Sequence, residues 1–414
     1  MNQKTTLQHL FSIPVIVAAL GYFVDIYDLL LFGIVRIPSL RELGLSPEEI
    51  SIVGKSIINW QMSGLLIGGI LWGVLGDKNG RLSVLFGSII TYSLMNIACG
   101  FVQDVNTYKI LRFVAGVGLA GELGAGITLV SEVLPKQLRA IGTSLVAGVG
   151  LLGAVVAYFT VQLFTWRIAF FIGGGLGFTL LMLRIGVFES RMFKSIAQKE
   201  TVSRGNFFSF FSNYDRFSRY MKCIAIGLPT WFVIGLLATL SNEFGEALGI
   251  PVKIDPGLSI MWCYIGLSLG DFSSGFLSHF LESRRKAVAY MMTFTLVISI
   301  IYLFGGIQTA FTFYGICLLM GFGIGYWAMF VTIAAEQFGT NVRATAATTV
   351  PNMVRGMVVP MNLLYGYLKP DTVGSNPAQV LQAGAIVGLI CFVLGFLAIY
   401  FISETHNRDL DFVE

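Results

Sequence analysis

The chain has 414 residues, of which 55% are hydrophobic and only 12% charged, with a formal net charge of +4 and a mean hydropathy of +0.76. Soluble domains carry about 25% charged residues, so this chain has roughly half the surface that keeps a protein in water. A polytopic membrane protein is the class that remains. The small positive charge calls for no nucleic-acid partner, because its placement along the chain accounts for it. Five cysteines stand singly in apolar segments, and no CxxC or Cys/His cluster offers a metal site or a disulfide framework. No nucleophile–base pair or Gly-rich phosphate loop is present, which argues against an enzyme, a cofactor and ATP as an energy source.

In chain order, apolar windows long enough to cross a bilayer are predicted at about 11–35, 52–76, 82–102, 108–131, 140–163 and 168–187. The first reads as a retained span, because no small-residue cleavage site precedes it. Its stretch "GYFVDIYDLLLFGIV" carries Asp25 and Asp28 three residues apart, on one helical face. A carboxylate at the bilayer centre costs at least roughly 2.5 kcal/mol, so two of them need a reason. The second span runs into "GVLGDKNGRLS", where Gly73 and Gly76 should let two helices approach closely. Asp77, Lys78, Gly80 and Arg81 then form a charged turn. Lys55, near the other end of this span, reads as a snorkelling cation. The fourth span holds Arg112 and Glu122 and leads into "SEVLPKQLRA", with Glu132, Pro135 and Arg139.

The most polar segment, Glu189 to Lys222, separates these six windows from six more at about 220–242, 258–280, 287–305, 311–335, 344–368 and 379–402. The second set carries Asp271 in the eighth span and Arg355 in the eleventh, between Pro351 and Pro360, where the helix should bend. Glu336 precedes Arg343 by seven residues, as Glu132 precedes Arg139, each at the end of the fourth span of its half. The predicted fold is therefore all-α: twelve transmembrane helices in two six-helix bundles, 1–188 and 220–414, joined by a cytoplasmic linker, 189–219. Lys and Arg concentrate on the side of the termini and linker; the other side keeps only Arg36, Arg41, Lys109, Arg167, Lys253 and Lys369. Both termini are thus expected in the cytoplasm. Parallel six-span repeats are a transporter signature.

The turn after the second span resembles the signature loop of the major facilitator superfamily, with Leu82 in place of its last basic residue. The Arg-and-glycine pattern of residues 112–126, the Glu132–Pro135–Arg139 loop and the tail "SETHNRDLDF" extend the resemblance over the whole chain. "YFVDIYDLLLFG" is similar to the first helix of metabolite:proton symporters, the branch of proline/betaine, shikimate and dicarboxylate carriers, and of phosphate:proton symporters. The resemblance implies gating roles for Asp77, Arg81, Glu132, Arg139, Glu336 and Arg343, and a proton-coupling pair between Arg112 and a first-helix Asp.

The expected function is proton-coupled import of a small carboxylate-bearing or zwitterionic metabolite by alternating access, in the inner membrane of a bacterium. The expected partners are the substrate, protons and the lipid bilayer, with the protein acting as a monomer. Asp25, Asp28, Arg112 and Glu122 are the expected coupling residues, and Arg355, Asp271, Tyr22, Tyr326 and Trp327 the expected substrate contacts. Four intramembrane acids face only Arg112 and Arg355, so two acids should await a proton or a cationic substrate group. Tyr27, Trp60, Trp231 and Tyr264 are further candidates to line a cavity. Two alternatives stand: a proton-coupled exporter of a drug or metabolite, and a phosphate-type anion symporter. The fifth span, "LVAGVGLLGAVVAY", lacks the Gly-Pro signature of drug antiporters.

Overall fold

A computed structural model describes residues 12–79, 81–122, 134, 139–188, 207–339, 342–369 and 376–405. Every regular element among them is helical. The first half comprises α1 (Ile13–Glu42), α2 (Pro47–Asn79), α3 (Arg81–Gly100), α4 (Val105–Leu119), α5 (Arg139–Leu163) and α6 (Trp166–Phe188). In the second half α7 (Tyr214–Phe232) passes through a π-helical turn, Val233–Ala238, into α8 (Ser241–Ala247). Helices α9 (Pro256–Phe280) and α10 (Arg284–Phe304) follow. The tenth span is broken into α11 (Ala310–Gly323) and α12 (Trp327–Glu336), and the eleventh into α13 (Arg343–Gly356) and α14 (Val358–Leu368). Helix α15 (Pro377–Phe401) is the last. The break in the eleventh span falls between Pro351 and Pro360, each of which removes a backbone donor from the helix.

The polarity of the body is inverted relative to a soluble protein. Phe280 and Phe311 are 85% and 88% exposed, whereas Arg36, Arg112, Arg184 and Arg355 are at most 1% exposed. Lipid is the solvent that makes such an arrangement stable. Eight of the described helical stretches are long and apolar enough to cross a membrane. Their ends carry local caps. The Ser46 amide donates to Glu49 Oε2 at 2.8 Å while the Glu49 amide donates back to Ser46 Oγ, a capping box that starts α2. Asp104 accepts from the Thr107 amide at the start of α4.

Helix α1 packs mainly on α5 and α6, α2 on α4, and α9 on α11. The halves meet where α5 lies on α9 and α2 on α13. The close approaches fall at glycines in matching places of the two halves. A Cβ at Gly64 of α2 would meet the Phe113 carbonyl, and one at Gly116 of α4 the Gln61 carbonyl. In the second half, Gly266 of α9 faces the Leu318 carbonyl and Gly321 of α11 the Cys263 carbonyl. Backbone contact of this kind is how membrane helices gain packing energy without a hydrophobic drive between them. Gly73, where a close approach was expected, makes only ordinary contact: a Cβ there would lie 3.5 Å from the Thr349 methyl. Gly116→Val should therefore lower the melting temperature in detergent, by overpacking worth about 1–3 kcal/mol. Gly73→Val should melt close to wild type, and equal shifts for the two would contradict the packing.

The seventh span starts at Tyr214, earlier than its apolar window at 220, because Asn213 caps the helix by accepting from the Asp215 amide. Just before it, Phe207–Phe211 forms a 3-10 turn. Phe207 and Phe210 are buried against Tyr220, and Phe210 also meets Phe338. This end of the expected linker is docked on the second half; residues 189–206 lie outside the described set.

Candidate functional site

Asp25 and Asp28 of α1 are both fully buried and reach in two directions. Asp28 faces its own half, where Arg112 Nη1 of α4 lies 3.7 Å from Asp28 Oδ1. That guanidinium also donates to Asn96 Oδ1 of α3 at 2.9 Å, to the Asp28 carbonyl at 3.1 Å and to Gln61 Oε1 of α2 at 3.3 Å. The Phe170 ring of α6 covers it at 5.4 Å. One cation thus gathers five helices around the buried Asp28 carboxylate.

Asp25 faces the other half. Its Oδ2 accepts from Arg355 Nη2 at 3.5 Å, an ion pair that joins α1 to the end of α13 beside the helix break. The pairing is incomplete: Arg355 Nε and Nη1 and Asp25 Oδ1 are buried with no hydrogen-bond partner. Aromatic rings surround it. Trp231 lies 5.9 Å from the guanidinium and packs edge-on against Trp327 at 6.3 Å. Tyr22, nearly one turn before Asp25, is 5% exposed and lies in the field of Arg355, Asp25 and Asp271. Tyr264 of α9 lies in that of Tyr22, Arg355 and Asp25. A guanidinium with free donors, one carboxylate and four rings is the surrounding a flat organic anion needs.

Glu122 departs from the expected charge balance. Both its oxygens are held by Arg184 of α6, one at 3.0 Å from Nη1 and the other by Nη2. Gly21 of α1 leaves room for this pair, since a Cβ there would collide with both side chains. Arg184 lies within the sixth apolar window and adds a third arginine to the balance expected from Arg112 and Arg355. Asp25, Asp28 and Glu122 each pair with an arginine, and of the four acids expected inside the membrane Asp271 has no ion pair among the described residues.

Asp271 performs a local task in this conformation. Its Oδ1 accepts from the Ala328 amide at 3.0 Å, at the first turn of α12 after the break in the tenth span, while Oδ2 has no partner. The partner of Arg355 is therefore Asp25 and not Asp271. Trp327 joins the ring cluster, but Tyr326 does not bring its hydroxyl there; it donates to the Ile226 carbonyl at 3.1 Å. Tyr27 likewise donates to the Ala169 carbonyl. Trp60 is 45% exposed and packs on Phe113 at the outer surface, so it lines no central cavity.

Of the expected gate residues, Glu132 lies outside the described residues. Asp77, Arg81, Arg139 and Arg343 lie on helix ends whose side chains are likewise outside them. Glu336 meets Arg284, the first residue of α10. At the same helix start Glu404, beyond α15, accepts from the Arg284 amide at 3.1 Å and from the Arg285 amide at 3.2 Å. Sequence reasoning missed Gln61, Asn96 and Arg184, whose only signal was a polar side chain inside an apolar window.

A helical body with an apolar exterior and buried ion pairs, one of which, Asp25–Arg355, bridges its two halves, is that of a polytopic membrane protein. The chain belongs to the major facilitator superfamily, whose profile matches residues 18–360. It is similar to a putative metabolite transport protein of Haemophilus influenzae, 29% identical over 95% of this chain and 96% of that protein. It is also similar to the niacin transporter NiaP of Acinetobacter baylyi, at 28% over 80% and 81%. A third relative is the cis,cis-muconate transport protein of the same organism, at 27% over 97% of both chains. The protein is thus a transporter and not an enzyme.

Proposed function

We propose that the protein imports a small aromatic or unsaturated carboxylate together with a proton, by alternating access of two six-helix bundles, 1–188 and 220–414. In this reading it is a monomer in a bacterial inner membrane with both termini cytoplasmic, and the arginine-rich side of the chain faces inward. The observation that carries the reading is the Asp25–Arg355 pair, long at 3.5 Å, with two guanidinium donors unused among aromatic rings. Niacin and cis,cis-muconate, the solutes named for two relatives, are flat and unsaturated and carry carboxyl groups, in keeping with such a site.

The coupling follows from charge. Asp25 and a substrate carboxylate are rivals for one guanidinium. A proton on Asp25 frees Arg355 to take the substrate, so the site holds proton and anion together or neither, and stays neutral in both cases. The Asp28–Arg112 and Glu122–Arg184 pairs flank this exchange, and Asp77, Arg81, Glu132, Arg139, Glu336 and Arg343 brace the inner gate.

The test is nicotinate uptake into proteoliposomes with an imposed proton gradient. Uptake should collapse with a protonophore and persist without sodium; the reverse pattern would sink the reading. Arg355→Lys should weaken nicotinate binding about 10- to 100-fold, the cost of one charge-assisted hydrogen bond of about 1.5–3 kcal/mol, because Lys lacks the planar fork.

A further inference from the structure

A second cluster of charge lies far from Arg355, at the end of the spans opposite the docked 3-10 turn. Glu243 of α8 is buried at its centre. Its Oε2 is 2.8 Å from Lys369 Nζ and accepts from the Tyr365 hydroxyl at 3.1 Å, both at the end of the eleventh span. From the first half, the Ser51 hydroxyl of α2 donates to Oε1 at 2.6 Å. Lys55, one turn further along α2 and 6% exposed, lies over the Tyr365 ring at 5.7 Å. It is buried there, not snorkelling. Arg36 of α1 completes the group. Its Nη2 donates to Asn242 Oδ1 at 2.7 Å, yet Nε and Nη1 are buried with no partner. Gly54 of α2 leaves the space that the Arg36 stem fills.

Separation of the halves at this end would spare the contacts within each half and break those between them. The bonds of Glu243 to Lys369 and Tyr365 lie within the second half and survive. Those from Ser51 to Glu243, Arg36 to Asn242 and Asn362 to Asn59, the last at 2.8 Å, run between halves and break. Glu243 then leaves with its own lysine, and the first half presents the Arg36 guanidinium, with Lys55 beside it, to the opening mouth. A guanidinium with Nε and Nη1 unused when closed is poised to take an anion when open.

We propose that Arg36, supported by Lys55, is an entry site for small carboxylates at the outer mouth, covered in this conformation by Asn242 and Glu243. The choice of ligand and of the outer side rests on the import reading above; the charge of the site does not. Such a site raises the local concentration of anions on the path to Arg355 and repels cations.

The test reads the field of the mouth without using transport. Ser51→Cys, in right-side-out vesicles, is labelled with membrane-impermeant methanethiosulfonates, one bearing a sulfonate and one a trimethylammonium group. Each rate is normalised to that with a small free thiol. The sulfonate reagent is expected to react about tenfold faster, at the lower end of the range for electrostatic focusing. Adding Arg36→Gln should remove most of that preference, and Arg36→Lys should keep it. Equal normalised rates in Ser51→Cys alone, a preference that survives Arg36→Gln, or no labelling from outside would each overturn the proposal. Failure of the import reading would appear elsewhere, as nicotinate uptake indifferent to the proton gradient.

Discussion

Asp25→Asn should abolish uphill accumulation of nicotinate while leaving exchange across the membrane intact. The substitution keeps the shape of the side chain and fixes it in the neutral state that the proton otherwise supplies. Arg355, 3.5 Å away, then has no carboxylate to return to when the substrate leaves. With a pH difference of one unit, each coupled proton is worth about 1.4 kcal/mol, a tenfold concentration ratio. In Asp25→Asn that ratio should fall to one, while counterflow of labelled against unlabelled nicotinate continues. The empty variant should also be less stable, because its Arg355 charge is buried without a counterion, and nicotinate should restore part of that loss. Normal accumulation in Asp25→Asn would show that the proton is carried elsewhere, with Asp28 as the next residue to examine.

Glu122→Leu should be among the most destabilising single substitutions in the chain. Both oxygens of Glu122 are engaged by Arg184, and each side chain is 1% exposed. Removing the acid strands a guanidinium in the membrane interior, a loss of about 3–5 kcal/mol for a broken buried pair. The double variant Glu122→Leu/Arg184→Met should recover most of this stability, because it removes the charge along with its partner. Melting in detergent measures both, and proton-driven uptake by the double variant separates two roles. If the stable double variant still accumulates nicotinate, the pair is a brace between α6 and the chain just after α4. If it is stable but exchanges without accumulating, Glu122 shares the proton with Asp25.

Much of this protein was legible from composition and period. A chain that is 55% hydrophobic and 12% charged, with apolar windows of about 20 residues and not short alternating ones, hides its backbone polar groups in a bilayer as helices. The turn "GVLGDKNGRL" and the spaced Glu–Arg pairs of the two halves pointed to the superfamily that the profile over residues 18–360 shows. Asp25, Asp28, Arg112 and Arg355 were legible as well, because each interrupts an apolar window where a charge is costly.

Which charge meets which was decided by tertiary structure alone. Helical periodicity puts Asp25 and Asp28 on one face, yet three residues along a helix turn the side chains by about 60° and move them about 4.5 Å. That is enough for Asp28 to face Arg112 of its own half and Asp25 to face Arg355 of the other. Arg184 and Arg36 sit near the ends of their helices, where by sequence a cation is equally able to point to water. Whether it turns inward depends on an acid or an amide from a helix distant in the chain: Glu122 for Arg184, Asn242 for Arg36. The space for each is made by a glycine on a third element, Gly21 and Gly54. A single helix dictates the depth of a charge in the membrane, and only the packing of several dictates its partner.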